Sequence, residues 1–157
     1  MFRRLFSGIG RAESGPDFAG LQDAILRGVA GDVTDLQDGD WDQREWVYLA
    51  VNHEILPEEG LRTSTQAAVL ACHSGAKLER LNFRLSLGTK AAILALRDAM
   101  APAGQAPWTI LDLTLDRDGQ HDLSFSYEAP PRLNGDLLHS PLKTLLERYL
   151  QQHPGRS

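Results

Sequence analysis

The stretch WTILDLTLDRDGQHDLSFSYE, running from Trp108 to Glu128, decides the fold. Leu111, Leu113 and Leu115 alternate with Asp112 and Thr114. Leu123, Phe125 and Tyr127 alternate with Asp122, Ser124 and Ser126. A two-residue period puts the apolar set on one face of a strand and the polar set on the other. Between the runs lies Asp116-Arg117-Asp118-Gly119. Asp folds back onto nearby amides there, and Gly takes the left-handed backbone. The stretch therefore predicts an antiparallel hairpin with one buried face.

Upstream, the third strand repeats the pattern. From Leu78 to Leu85, Leu81, Phe83 and Leu85 point one way and Arg80, Asn82 and Arg84 the other. Strands are also predicted from about Trp46 to His53 and from Thr65 to His73, with turns at Pro57–Gly60 and Ser74-Gly75. Apolar residues at helical spacing predict three helices. The first carries Phe18, Leu21, Ile25 and Val29; Gly20 and Gly28 weaken it and Gly31 ends it. The second runs from about Thr89 to Met100 and stops at the Pro- and Gly-containing stretch 101–107. The last starts with Ser140 as cap and Pro141 in its first turn, and carries Leu142, Leu145, Leu146, Tyr149 and Leu150. Pro130 and Pro131 close the hairpin's second strand, because proline removes a ladder donor. The order α-β-β-β-α-β-β-α predicts an α+β fold, an antiparallel sheet of about five strands with helices on one face. The other face should be wet and available.

Length and charge narrow the classes. A chain of 157 residues suits a single domain, here 17–157, preceded by a flexible arm over 1–16. One cysteine, Cys72, excludes an intrachain disulfide. Arginines interrupt the apolar residues at the start, which argues against a secretory signal. No run approaches the ~20 apolar residues that span a bilayer, so no membrane role is expected. The net charge is −5, and its location matters more than its size. Six of the 21 acids and one of the 16 bases lie within residues 32–45; the remaining acids and bases cancel. Such a chain should avoid nucleic acid and attract a basic partner.

No catalytic, metal or cofactor site is legible. Histidines at 53, 73, 121, 139 and 153 lack the i, i+4 spacing of a helical zinc pair. Adjacent Cys72 and His73 point to opposite faces of a strand, whereas a nucleophile–base pair must converge. Asp38-Gly39-Asp40-Trp41-Asp42 starts like a calcium loop but has Gln43 where glycine is required and Leu49 where glutamate is. Gly8-Ile9-Gly10 lacks the preceding strand and third glycine of a dinucleotide fingerprint. The chain reads as a non-enzyme with no cofactor.

Two surfaces offer binding. The acidic segment presents Asp35, Asp38, Asp40, Trp41 and Asp42, with Trp46 close behind. Tryptophan beside acids suits an interface, the ring burying area while the acids steer a basic partner. A solvated loop with one tryptophan folded inward fits the same residues. The polar sheet face carries Arg80, Asn82, Arg84, Asp112, Thr114, Asp122, Ser124, Ser126 and Glu128, and Trp108 and Ile110 should join it as an exposed pair. Cross-strand pairing among these charges is the alternative there.

The C-terminal half resembles the YezG-like immunity proteins of bacterial toxin systems. The likeness lies in Trp108, the leucine strand, Asp118-Gly119, Phe125-Ser126-Tyr127-Glu128, and a last helix finishing in Tyr149-Leu150. It covers about forty-five residues, and the N-terminal half only by element order. The resemblance implies a cytoplasmic inhibitor that binds a polymorphic toxin, often a nuclease; the sequence leaves monomer and homodimer both open. The acidity would then mimic nucleic acid or fill a basic cleft in the toxin domain. The element order also resembles the class I type III secretion chaperones, dimers that hold an extended effector segment. A small carboxylate hydrolase is a third reading, without a nucleophile or metal set to carry it.

Overall fold

The Asp116 side chain builds the decisive hairpin. Its carboxylate accepts from the Asp118 amide at 2.9 Å and the Gln120 amide at 3.0 Å, while Gly119 sits at φ 98°. The turn joins β4 (Ile110–Asp116) to β5 (His121–Ser126), paired antiparallel from Ile110 with Ser126 to Leu115 with His121. The computed structural model describes residues 17–56, 61–101 and 104–155. The expected arm over 1–16, the Gly8–Gly10 stretch, the 57–60 turn and residues 102–103 of the 101–107 link lie outside them.

The elements follow the expected order. They are α1 (Phe18–Asp32), β1 (Glu45–Leu56), β2 (Arg62–Cys72), β3 (Glu79–Asn82), α2 (Leu87–Met100), β4, β5 and α3 (Leu145–Gln152), with a 3-10 turn at Arg132–Asn134 before α3. Chain contacts gather into two compact units. Of the described residues, one unit holds those up to Gly31 and those from Ser86 to Pro107; the other holds those from Asp32 to Leu85 and from Trp108 on.

The first unit contains α1 and α2. Ser86 caps α2 by accepting from the Thr89 amide at 3.1 Å. Gly28 of α1 has a specific place. A Cβ there would meet the Thr89 hydroxyl and lie 3.2 Å from the Thr89 Cβ. Glycine thus allows the helices to touch, which offsets its poor helix propensity.

The second unit is the antiparallel sheet, in the order β3-β2-β1-β4-β5. Leu49, Val51, Ile55, Val69, Leu111 and Leu113 are buried on one face. The opposite face is not the open one expected from sequence. Ala50 and Ala68 are cross-strand partners there, and with Leu70 and Leu78 they pack against Leu142, Leu145 and Tyr149. Two small side chains at the centre let α3 lie close to the sheet. The polar face remains accessible over β3 and over β4–β5, where Arg80, Asn82, Asp112, Asp122 and Ser124 are exposed.

Two further expectations are corrected. Trp108 is 1% exposed and packs on Phe125 with centroids 4.9 Å apart, while Ile110 is half-buried. Trp108 precedes β4, so the strand's alternation does not govern it. Ser140 does not cap α3, whose N-cap is Thr144. Residues 141–144 form turns, with Lys143 N–H bonding Ser140 O and Leu145 N–H bonding Leu142 O. The Ser140 hydroxyl instead accepts from Gln66 Nε2 at 3.3 Å.

Candidate functional site

The acidic segment is a pinned strap rather than a loose loop. Leu36 forms a β-bridge with Phe83, Gln37 N–H donates to Asn82 O at 2.9 Å, and Arg84 N–H donates to Asp35 O at 2.9 Å. The strap thereby covers the outer edge of β3. The Arg84 side chain fixes it a second time: Nη1 meets the Asp35 carboxylate at 2.8 Å and Leu36 O at 2.9 Å, and Nη2 reaches Gln37 O at 3.2 Å. Three hydrogen bonds from one planar fork favour a single loop geometry.

Arg44, the strap's only base, clasps its other end. Nε and Nη2 donate to the two Glu79 carboxylate oxygens at 3.1 and 3.3 Å. Nη1 reaches Asp40 O at 3.1 Å and Trp41 O at 3.3 Å. The Glu79 hydrogen bonds are the main reason that the Arg44 pKa rises above its ordinary value; Glu79, Asp42 and Asp40 also attract its charge. This clasp closes over Gly39, Asp42 and Gln43, all left-handed, at φ 73°, 47° and 63°. Left-handed backbone at Gln43 costs on the order of 1 kcal/mol, which the surrounding bonds must offset.

The strap separates the sequence candidates. Asp35 is engaged by Arg84, and Asp42 lies 3.4 Å from the His73 imidazole. Asp38, Asp40 and Glu45 are exposed and meet no cation at ion-pair distance among the described residues. Trp41 is half-buried, its indole Nε1 shielded and without a hydrogen-bond partner. Trp46 is half-buried beneath the Arg117 guanidinium, 5.2 Å from its ring centroid, while Arg117 Nη1 bonds Trp46 O. Trp46 thus ties the hairpin turn to β1. The strap therefore presents carboxylates from Asp38 to Glu45 beside one partly covered indole.

A second polar constellation escaped the sequence reading. Glu54 of β1 is fully buried and pairs at 3.4 Å with Arg132, itself 7% exposed. Arg132 also donates from Nε to the Ser64 hydroxyl at 2.8 Å, and from Nη2 to the carbonyls of Asn52 and Ser64. The other Glu54 oxygen accepts from the Leu133 amide at 3.1 Å. Beside them, Asn52 Nδ2 donates to Asp112 at 2.7 Å. Burial lowers the Arg132 pKa from its ordinary value, and Glu54 and then Asp112 oppose that effect. The guanidinium remains a cation throughout the usual pH range. The network clamps the segment after β5 onto β1 and β2. Beyond the clamp, consecutive Leu137 and Leu138 stand 79% and 89% exposed. The available sequence signal was Asn52 and Glu54 on one face of a strand whose other face is apolar.

Cys72 packs against the α3 cluster, whereas His73 faces Asp42 and Glu79, so the two do not converge. His53 is buried, with Nδ1 2.8 Å from the Thr65 hydroxyl. Among the described residues, no group of three His, Cys, Asp or Glu is placed to hold a metal, and no helix is long and apolar enough to cross a membrane. No protein-family model matches the chain, and no curated protein is significantly similar to it.

Proposed function

We propose that this chain is a protein-binding inhibitor of the immunity type, using the strap over 35–45 to dock on a basic domain of a toxin. The observation that carries this reading is the clasping of the strap by Arg84 and Arg44, which leaves Asp38, Asp40 and Glu45 exposed and unpaired. Pre-ordered acids lose little conformational entropy on binding and steer a cationic surface from a distance. Trp41 supplies a large ring at the centre of that charge. The motif order from Trp108 to Leu150 points the same way.

Affinity capture of the tagged chain from its native cells, with mass spectrometry and a complex mass, tests the proposal. A stoichiometric partner with a basic, nuclease-like domain supports it, as does protection of cells expressing that domain. A homodimer carrying a secreted effector would replace it with the chaperone reading. Capture of no stoichiometric partner would count against both.

A further inference from the structure

A groove on the second unit has a character opposite to the strap's. It encloses about 330 Å³ between β2, β3 and the segment leading into α3. Small-molecule pockets begin at roughly this size, about 300 Å³. Its polar lining comprises Arg80 and Asn82 from β3, Gln66 from β2, Ser140 and Lys143 before α3, and Gln37 of the strap at the rim. Among the described residues no carboxylate lines it, although the chain as a whole carries a net charge of −5.

The two cations are available. Arg80 and Lys143 are exposed, and neither meets a carboxylate at ion-pair distance among the described residues. Arg80 Nη1 donates to Asn82 Oδ1 at 3.0 Å, which orients the guanidinium along β3. The closest acid in sequence to the Gln37 rim, apart from its neighbour Asp38, is Asp35, and Arg84 holds it. Gln66 donates to His139 O and the Ser140 hydroxyl at 3.0 and 3.3 Å, which ties β2 to the segment before α3 in the groove lining. Two uncompensated cations across a polar groove favour an oxyanion, which accepts charge-assisted hydrogen bonds from both.

We propose that this groove is a binding site for an oxyanion-bearing ligand of small-molecule size, with a phosphate or carboxylate group seated between Arg80 and Lys143. The site goes beyond the strap-mediated docking and does not depend on it. Phosphate and carboxylate share this oxyanion chemistry, and a separate probe tests each.

The test is an NMR titration of the ¹⁵N-labelled full chain at constant ionic strength, with inorganic phosphate in one arm and N-acetylglutamate in the other. The site predicts saturable shifts at the Gln66, Ala68, Asn82, Leu142 and Lys143 amides. Arg80→Gln with Lys143→Gln should weaken them about tenfold or more. Both side chains are exposed, so the variant should keep its amide dispersion. Saturation by phosphate alone identifies a free phosphate-like ligand; saturation by N-acetylglutamate alone identifies a carboxylate. Absence of saturation in both arms, or saturation unchanged in the double variant, overturns the site. Asp40→Asn with Glu45→Gln should leave both titrations unchanged, so failure here and failure of strap docking are told apart.

Discussion

Replacing Arg132 by Met should be among the most damaging single changes in the second unit. The substitution leaves Glu54, which is fully buried, without its cation. It also removes donors from the Ser64 hydroxyl and from the carbonyls of Asn52 and Ser64. Breaking a buried pair by removing one partner costs about 3–5 kcal/mol. Total stability of a domain is only about 5–15 kcal/mol, so roughly a fifth or more is at stake. At this chain length the loss should lower Tm by roughly 6–20 °C. Glu54→Leu should cost a similar amount, because it strands the guanidinium and orphans the Leu133 amide. The double variant removes both charges together and should lie within about 3 kcal/mol of the parent, well short of the sum. Urea denaturation of the four proteins, followed by circular dichroism, gives the cycle directly. Additive losses, or either single variant costing under about 1 kcal/mol, would refute the clamp.

Other expectations follow from single contacts. Gly28→Ala should destabilise the chain by about 1–3 kcal/mol despite better helix propensity, because its methyl group meets Thr89; thermal melting checks this. Ser86→Ala should cost about 1 kcal/mol through loss of the α2 cap, again by melting. Arg84→Ala should release the strap and speed hydrogen exchange at the Gln37 amide, now bonded to Asn82 O, more than at the β1–β2 amides. Leu137→Ser with Leu138→Ser should change stability by no more than about 0.5 kcal/mol, since both side chains are exposed.

The parts legible in sequence are those set by local chemistry. The β4–β5 hairpin announced itself because its alternation and its Asp116–Gly119 turn name the same structure independently. The alternation of Leu81, Phe83 and Leu85 likewise marked β3, which ends at Asn82, the next residue bridging to Leu36 of the strap. Long-range contacts stayed hidden. Nothing local to Asp35 reveals that Arg84, forty-nine residues on, holds it. The acids were visible as a cluster, but the clasp that orders them depends on Arg44 finding Glu79. Glu54 was silent for a similar reason: a charged residue in a strand ordinarily marks a wet face, and only Arg132 from the far side of the hairpin makes its burial tolerable. The covering of the Ala50–Ala68 face by α3 was missed because small residues do not declare a packing partner.

The central claim is that a pre-ordered acidic strap docks on a basic partner. The most direct measurement is the association rate of the captured partner domain with the parent chain and with the triple variant Asp38→Asn, Asp40→Asn, Glu45→Gln, at low and physiological salt. The account predicts a parent rate that falls steeply as salt rises, and a triple variant that associates about tenfold or more slowly at low salt with unchanged stability. Equal rates for the two proteins at both salt concentrations would contradict it.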